Sequence, residues 1–366
     1  YYGASALGLL LSSISVLSII LLFAKAGLDT AFLRFVSQFR VKRAFNTIRS
    51  IRKRSLWVML FSSLAATALL YFLAGTIAIY VFSKPELEIP LKLISFAIIP
   101  MAFYQFNAEG LRGLKKIIGY ALVFNTGRFL FGTIAFVLSY FILKAELEPA
   151  ALFAIGCAVT TLFSFWLWRG AFTKAGQNHS GDSSAEEDVA YDRIFALATP
   201  LFFASSTAFL MNWTDTLVLT YFGSSDDVAI YTVALKFGTL GKLVLMAINS
   251  IAAPKFAEFY ESNDNKGLGK VVRQSSKLIF WGSVPILLIL ILFPSTLLNI
   301  YGPEYEAGVT SLLIIAVAQF FSALTGPVGN ILQMTGRQKV YQNMAIAFTI
   351  GHVGLNILLV PRFGIN

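Results

Sequence analysis

One cysteine, Cys157, and two histidines stand among 366 residues, and charged side chains occupy only 13% of positions. A lone cysteine forms no internal disulfide and no multi-cysteine metal site, and it leaves the redox compartment open. With charge this scarce, 57% hydrophobic residues and a mean hydropathy of +0.71, the apolar surface cannot all be buried in one water-soluble core. The pattern G-x-x-x-x-G-K-[ST] is absent, which excludes an ATP-driven pump on this chain. Long outer loops are absent too, and with them the aqueous domain in which a membrane glycosyltransferase carries its carboxylates, so no enzyme is expected. No charged leader precedes an apolar core at the start, so no signal peptide is read there, and the chain begins inside or beside a helix.

Long apolar runs are what the chain does have. Ten reach the roughly 20 residues that a helix needs to cross a bilayer: 3–31, 55–82, 91–111, 118–143, 149–170, 194–221, 230–252, 278–300, 309–333 and 341–361. The net charge of +10 might point to nucleic acid, but 34 Phe against 29 Lys plus Arg argues for lipid as the main solvent. The connectors alternate in charge. Those at 34–54, 112–116, 169–193, 255–277 and 337–339 hold 21 Lys or Arg, and their opposites hold 4. By the positive-inside rule the basic set is cytoplasmic. The richest stretch, 34–54, interleaves its basic residues with Phe35, Phe39, Phe45, Ile48 and Ile51, as an interfacial amphipathic helix requires.

The polar linker 173–193 separates two halves that repeat at an offset of about 220 residues. Arg34-Phe35 corresponds to Lys255-Phe256, Trp57 to Trp281, the outer loop Lys84 to Glu88 to the loop Gly302 to Glu306, and Gly113 with Lys116 to Gly336 with Lys339. The expected fold is an all-α polytopic bundle of two parallel six-helix halves: 1–172, lacking its first helix, and 194–366, lacking its last. The whole would hold at least twelve helices.

These loops carry a resemblance. Tyr2-Gly3, the run Gly27-Leu28-Asp29-Thr30-Ala31-Phe32-Leu33-Arg34-Phe35, Asp227-Val228 with Tyr231, and Pro254-Lys255-Phe256 are its first marks. Tyr301-Gly302-Pro303-Glu304-Tyr305, Gly336-Arg337, and Asn356 with Pro361 and Gly364 complete them. The chain resembles the polysaccharide flippases (O-antigen type) of the multidrug/oligosaccharidyl-lipid/polysaccharide exporter superfamily. It departs from the pattern at Ala229, where the short outer loop is expected to carry Gly. The resemblance implies a lipid-linked oligosaccharide of polyprenyl-phosphate type passing through a central cavity by alternating access. It implies no cofactor, a coupling ion (H+ or Na+) as candidate driving force, membrane lipids and polysaccharide-assembly enzymes as partners, and the cell membrane as location.

Seven charged residues fall within the expected spans and outside the connectors: Lys25, Asp29, Glu109, Arg128, Asp215, Lys236 and Lys242. A charge at the bilayer centre costs about 2.5–3.5 kcal/mol on the lenient scale, so each calls for a partner or a function. Arg128 lies about ten residues into its helix, roughly 15 Å deep, and its guanidinium suits a bidentate hold on phosphate. Lys242 and Lys25 are candidates to add positive charge to the same cavity. The alternative for Arg128 is a structural pairing with Glu109. Asp215 and Lys236 lie at matching depth on helices joined by a short loop, as a gate, an ion-coupling element or a permanent pair. Asp29 and Glu109 join them as gating candidates, and snorkelling is the plainer reading of Lys25 with Asp29. His352 reads as hydrogen-bonded packing. Asn107, Asn125, Asn212, Asn249, Gln319 and Asn330 suit either sugar hydroxyls or interhelical bonds. The sequons at Asn178 and Asn212 fall in a cytoplasmic connector and a helix and are read as accidental. An exporter of small organic cations, which needs an acidic cavity, and a non-transporting scaffold remain the alternatives.

Overall fold

The computed structural model describes residues 3–142, 147–177 and 189–365. Tyr2 of the loop pattern, part of the outer connector at 144–148, and positions 178–188 of the linker with the sequon at Asn178 lie outside the described residues. In lipid only internally bonded backbone is tolerated. Accordingly the described residues are helical, with no strand among them. Among the described residues nine helices are long and apolar enough to span a membrane, and a bent pair brings the number to ten, matching the expected spans.

The helices are α1 (Gly3–Lys25), α2 (Leu28–Val41), α3 (Phe45–Thr76), α4 (Glu88–Ser95), α5 (Ile98–Gly113), α6 (Ile117–Ala121), α7 (Arg128–Val137), α8 (Pro149–Gln177) and α9 (Tyr191–Phe222). They continue as α10 (Ser225–Gly238), α11 (Lys242–Glu261), α12 (Asn265–Leu292), α13 (Pro294–Leu298), α14 (Val309–Thr325), α15 (Val328–Met334) and α16 (Gln338–Phe363). They fall into two compact units, residues 9–213 and residues 1–8 with 214–366.

In the first of these units, the run expected at 3–31 breaks after Lys25. Ala26 (φ 46°) and Gly27 (φ 76°) adopt left-handed backbone there. A Cβ on Gly27 would stand 2.3 Å from the carbonyl oxygen of Ala198 in α9, so close approach and positive φ both require glycine. The carbonyl of Ala24, left free by the break, accepts from Ser62 Oγ at 2.6 Å.

The basic stretch 34–54 is not a loop: it forms most of α2 and the beginning of α3. In α2, Leu28, Phe32, Phe35, Val36 and Phe39 are buried, while Arg34, Ser37 and Gln38 are exposed. Its apolar face packs on α5, where Phe32 stacks on Phe106 with ring centroids 4.2 Å apart. The amphipathic pattern therefore serves the protein core rather than the lipid interface. Helix α3 starts ten residues before the expected span because Ile48, Ile51, Ser55 and Met59 continue one buried stripe, while Arg49 and Lys53 project from the opposite side. Arg52 lies over the rings of Phe165 and Trp168 at 5.3 and 5.4 Å and donates to Asn107 Oδ1 at 3.2 Å. Arg54 donates to the carbonyl of Val189 and stacks on Tyr191, fixing the entry to α9.

The second unit packs α10, α12 and α14 around Ile230, Val233, Leu287, Leu290, Leu312 and Ala316. A capping box opens α10: Ser224 Oγ accepts from the backbone N–H of Asp227 at 3.1 Å, and the Asp227 carboxylate accepts from the Ser224 N–H at 2.8 Å. This explains Asp227 in the loop pattern. Ala229 lies buried within α10 rather than in a loop, a position that suits alanine. The internal repeat has a backbone signature. Left-handed residues recur about 220 positions apart at Arg43 and Asn263, at Ser83 and Gly302, and at Lys115 and Gly336.

Candidate functional site

Arg128 owes its placement to an irregularity. Residues Leu122–Gly127 form a π-helical turn between α6 and α7, and Arg128 is the first residue after it. Such turns widen the helix and re-aim the side chains that follow, and they recur at functional sites. Small residues let α7 lie directly on α8: a Cβ on Gly156 would stand 2.5 Å from the Arg128 carbonyl oxygen and 2.8 Å from the Gly132 nitrogen.

The guanidinium of Arg128 lines a cavity of about 580 Å³ in the first unit. Lys25 of α1 and Gln105 of α5 line it with Ser18, Ser205 and Asn212, while Phe124, Phe209 and Trp213 supply aromatic walls. Arg128 Nη1 donates to the Tyr104 hydroxyl at 3.2 Å, and the group lies 4.7 Å from the Phe129 ring centroid. Its Nε is buried with no hydrogen-bond partner among the described residues, and no carboxylate there pairs with it. Glu109, the alternative partner, binds Arg112 instead, at 3.3 Å.

Lys25 is handled differently. Its Nζ pairs with the Asp29 carboxylate at 2.5 Å and donates to Gln105 Oε1 at 2.8 Å. Asp29 also accepts from the backbone N–H of Thr30, within the first turn of α2. One cation at the cavity is thus neutralised within its own helix break, and the other is held by a neutral phenol. Of the helix-depth amides, Asn107 is occupied, accepting from Arg52 and donating to Ser164 at 2.9 Å, whereas Asn212 reaches the cavity.

Lys242, Lys236 and Asp215 belong to the other unit. Lys242 is exposed at the first position of α11, after a 3-10 turn over Thr239–Gly241, and Lys236 is exposed on α10. Asp215 sits in a polar cluster with two residues of the loop pattern, Tyr231 and Asn356, and with His352, which was expected to be packing. Tyr231 donates its hydroxyl to Asp215 Oδ2 at 3.0 Å, Asn356 donates Nδ2 to Oδ1 at 2.9 Å, and His352 Nε2 lies 2.8 Å from the same oxygen. His352 and Asn356 stand one turn apart on α16, and that spacing, with Asn356 already part of the loop pattern, was the available signal. No group of three or more His, Cys, Asp or Glu able to hold a metal occurs among the described residues.

Comparisons with known proteins agree with this architecture. The family model described as "Polysaccharide biosynthesis protein" matches residues 3–260, and the MatE model matches residues 200–359. The uncharacterized membrane protein MJ1068 of Methanocaldococcus jannaschii is 20% identical over 98% of this chain and 72% of its own length. The probable flippase AglR of Haloferax volcanii is 24% identical over 42% of this chain, a match that spans 33% of AglR. Among solved structures, an inward-facing multidrug resistance MATE family transporter of the MOP superfamily aligns with TM-score 0.70 and 15% identity, over 99% of this chain and 87% of that one. The lipid II flippase MurJ, inward closed, aligns with TM-score 0.70 and 13% identity, over 99% and 76%. The multi-span fold and the match over 3–260 lead to one assignment: the chain is a cell-membrane protein that belongs to the polysaccharide biosynthesis protein family, the polysaccharide flippases of the multidrug/oligosaccharidyl-lipid/polysaccharide exporter superfamily.

Proposed function

We propose that the protein translocates a lipid-linked oligosaccharide of the polyprenyl-phosphate type across the cytoplasmic membrane by alternating access. The observation that carries this reading is Arg128: a guanidinium without a carboxylate partner among the described residues, lining a cavity at helix depth. An anionic phosphate is the ligand that such a group lacks. Lys25 and the polar side chains of Gln105, Ser18, Ser205 and Asn212 extend the cavity toward a mixed anionic and hydroxyl-rich ligand, and aromatic faces suit sugar rings. Among the described residues that line this cavity none is acidic, and Asp29 reaches it only through its pair with Lys25, which favours an anionic substrate over an organic cation.

For energy coupling we propose the proton, acting at Asp215. An ionised carboxylate only accepts hydrogen bonds, and here Tyr231 and Asn356 donate to it while His352 faces it. A proton gained by Asp215 turns an acceptor into a donor and releases at least one of these partners. Because His352 and Asn356 both lie on α16, that change acts on one helix. Two of the three groups at the Asp215 carboxylate, Tyr231 and Asn356, donate to it, and this fits a proton better than a bound Na+, which needs oxygen ligands.

The test is transfer of a fluorescent lipid-linked oligosaccharide between leaflets of proteoliposomes. The wild-type protein should accelerate transfer, and a Lys25→Gln/Arg128→Gln double variant should lose it. Equal rates with folded double variant would exclude the cavity as the substrate site.

A further inference from the structure

The cytoplasmic end of α8 carries a second, separate arrangement. Trp166, Arg169, Gly170, Thr173 and Lys174 follow the spacing i, i+3, i+4, i+7, i+8 and therefore share one face of the helix. Together with Leu111, Lys116 and Gly119 they line an open groove of about 860 Å³ in the first unit. The three cations Lys116, Arg169 and Lys174 are exposed, and among the described residues none has an acidic partner. Their neighbour Arg112 differs, since it is neutralised by Glu109 and rests 5.4 Å from the Tyr120 ring.

The groove continues into an apolar stripe. Ile155, Val159, Leu162 and Trp166 succeed one another at helical spacing toward the bilayer centre, and all are exposed on the protein surface. Trp166 is 69% exposed while Trp168, two residues on, is 4% exposed, so the two indoles mark the outer and inner faces of α8. A hydrocarbon-facing stripe that ends in an interfacial tryptophan and then in cations reproduces the order of an anionic lipid: acyl chain, glycerol region, phosphate.

We propose that this groove is a seat for an anionic phospholipid of the cytoplasmic leaflet, its phosphate held by Lys116, Arg169 and Lys174 and one acyl chain lying along Leu162 and Trp166. Gly170 leaves open space beside the cations, with no atom within 4 Å of where its Cβ would be. Charge complementarity selects the occupant, because a zwitterionic headgroup gives three cations no net negative partner. The seat is distinct from the Arg128 cavity, with which it shares no lining residue, and it stands whether or not the proposed substrate is correct.

Trp166 provides the readout. The full protein is reconstituted in phosphatidylcholine with phosphatidylglycerol or phosphatidylcholine brominated near the headgroup end of the acyl chain, and the quenching lost in Trp166→Phe is assigned to that site. Brominated phosphatidylglycerol should quench at a several-fold lower mole fraction than brominated phosphatidylcholine. Each of Arg169→Gln and Lys174→Gln should weaken that preference by roughly fivefold, and Arg34→Gln and Arg49→Gln should leave it unchanged. If either variant is unstable, Lys116→Gln, on the exposed turn before α6, serves the same purpose. Equal quenching by the two lipids, or a preference that survives removal of the cations, would overturn the proposal. So would relief of quenching by inorganic phosphate, which would mean a free-anion site, or by polyprenyl phosphate but not by unbrominated phosphatidylglycerol.

Discussion

Arg128 donates from Nη1 to the hydroxyl of the fully buried Tyr104 at 3.2 Å. A phenol orients a guanidinium without cancelling its charge, so the cation is positioned and still available. Tyr104→Phe should keep the charge and lose the positioning, weakening polyprenyl-pyrophosphate binding by about 1 kcal/mol, near fivefold. Titration of purified Tyr104→Phe protein checks this. Arg128→Lys, which keeps the charge but not the fork, should lose more than Tyr104→Phe does.

Lys25 and Asp29 are 16% and 10% exposed and meet at 2.5 Å. Asp29→Asn removes the anion and leaves Lys25 with Gln105 alone. Stability should fall by about 3 kcal/mol, the usual cost of breaking a largely buried pair from one side. Affinity for a pyrophosphate should rise, because the cavity gains net positive charge. A Lys25→Met/Asp29→Leu double variant should recover stability and lose the affinity gain. Thermal unfolding and ligand titration on the same three proteins separate the two effects.

Gly156 lets the backbone of α8 touch that of α7 at Arg128 and Gly132. Gly156→Val should force the helices apart where the cavity's arginine is anchored. The expected result is a protein that still reaches the membrane, unfolds at lower temperature and transfers lipid-linked sugar at least tenfold more slowly. A transfer assay paired with a melting curve reads both.

Asp215, Tyr231, His352 and Asn356 form one network. Asp215→Asn removes the carboxylate at nearly constant volume. Flipping driven by an imposed pH gradient should then become independent of that gradient, and Tyr231→Phe should keep the response with a modest loss of rate. Proteoliposomes carrying either a pH or a Na+ gradient make the comparison. Undiminished pH-driven transfer in Asp215→Asn would remove this residue from the coupling step.

The spans were legible because lipid forces them: apolar length is imposed by the solvent on every segment that crosses it. The break in the third span was harder to read. Helices α4 and α5 meet at 50° around Phe96 and Ala97. Pro100, which cannot donate to the carbonyl of Phe96, was the signal for that break. The basic stretch looked like a connector because its charges lower the mean hydropathy, although Phe35, Phe39, Ile48 and Ile51 fix its helices to the core. For the site, the depth of Arg128 was readable, but the π-helical turn that aims it was not, since no residue type marks such a turn. His352 was discounted as a lone polar group on an apolar helix, and only folding brings it to Asp215, 137 residues away in sequence.

The account rests on the Arg128 guanidinium, which has no carboxylate partner among the described residues, as the group that holds the substrate's phosphate. Equilibrium binding of polyprenyl pyrophosphate to purified wild-type and Arg128→Ala protein, matched for folding by their melting curves, tests it most directly. The dissociation constant should rise by a factor of roughly 10 to 100, as expected for losing a charge-assisted hydrogen bond worth about 1.5–3 kcal/mol. An unchanged dissociation constant in folded Arg128→Ala protein would contradict it.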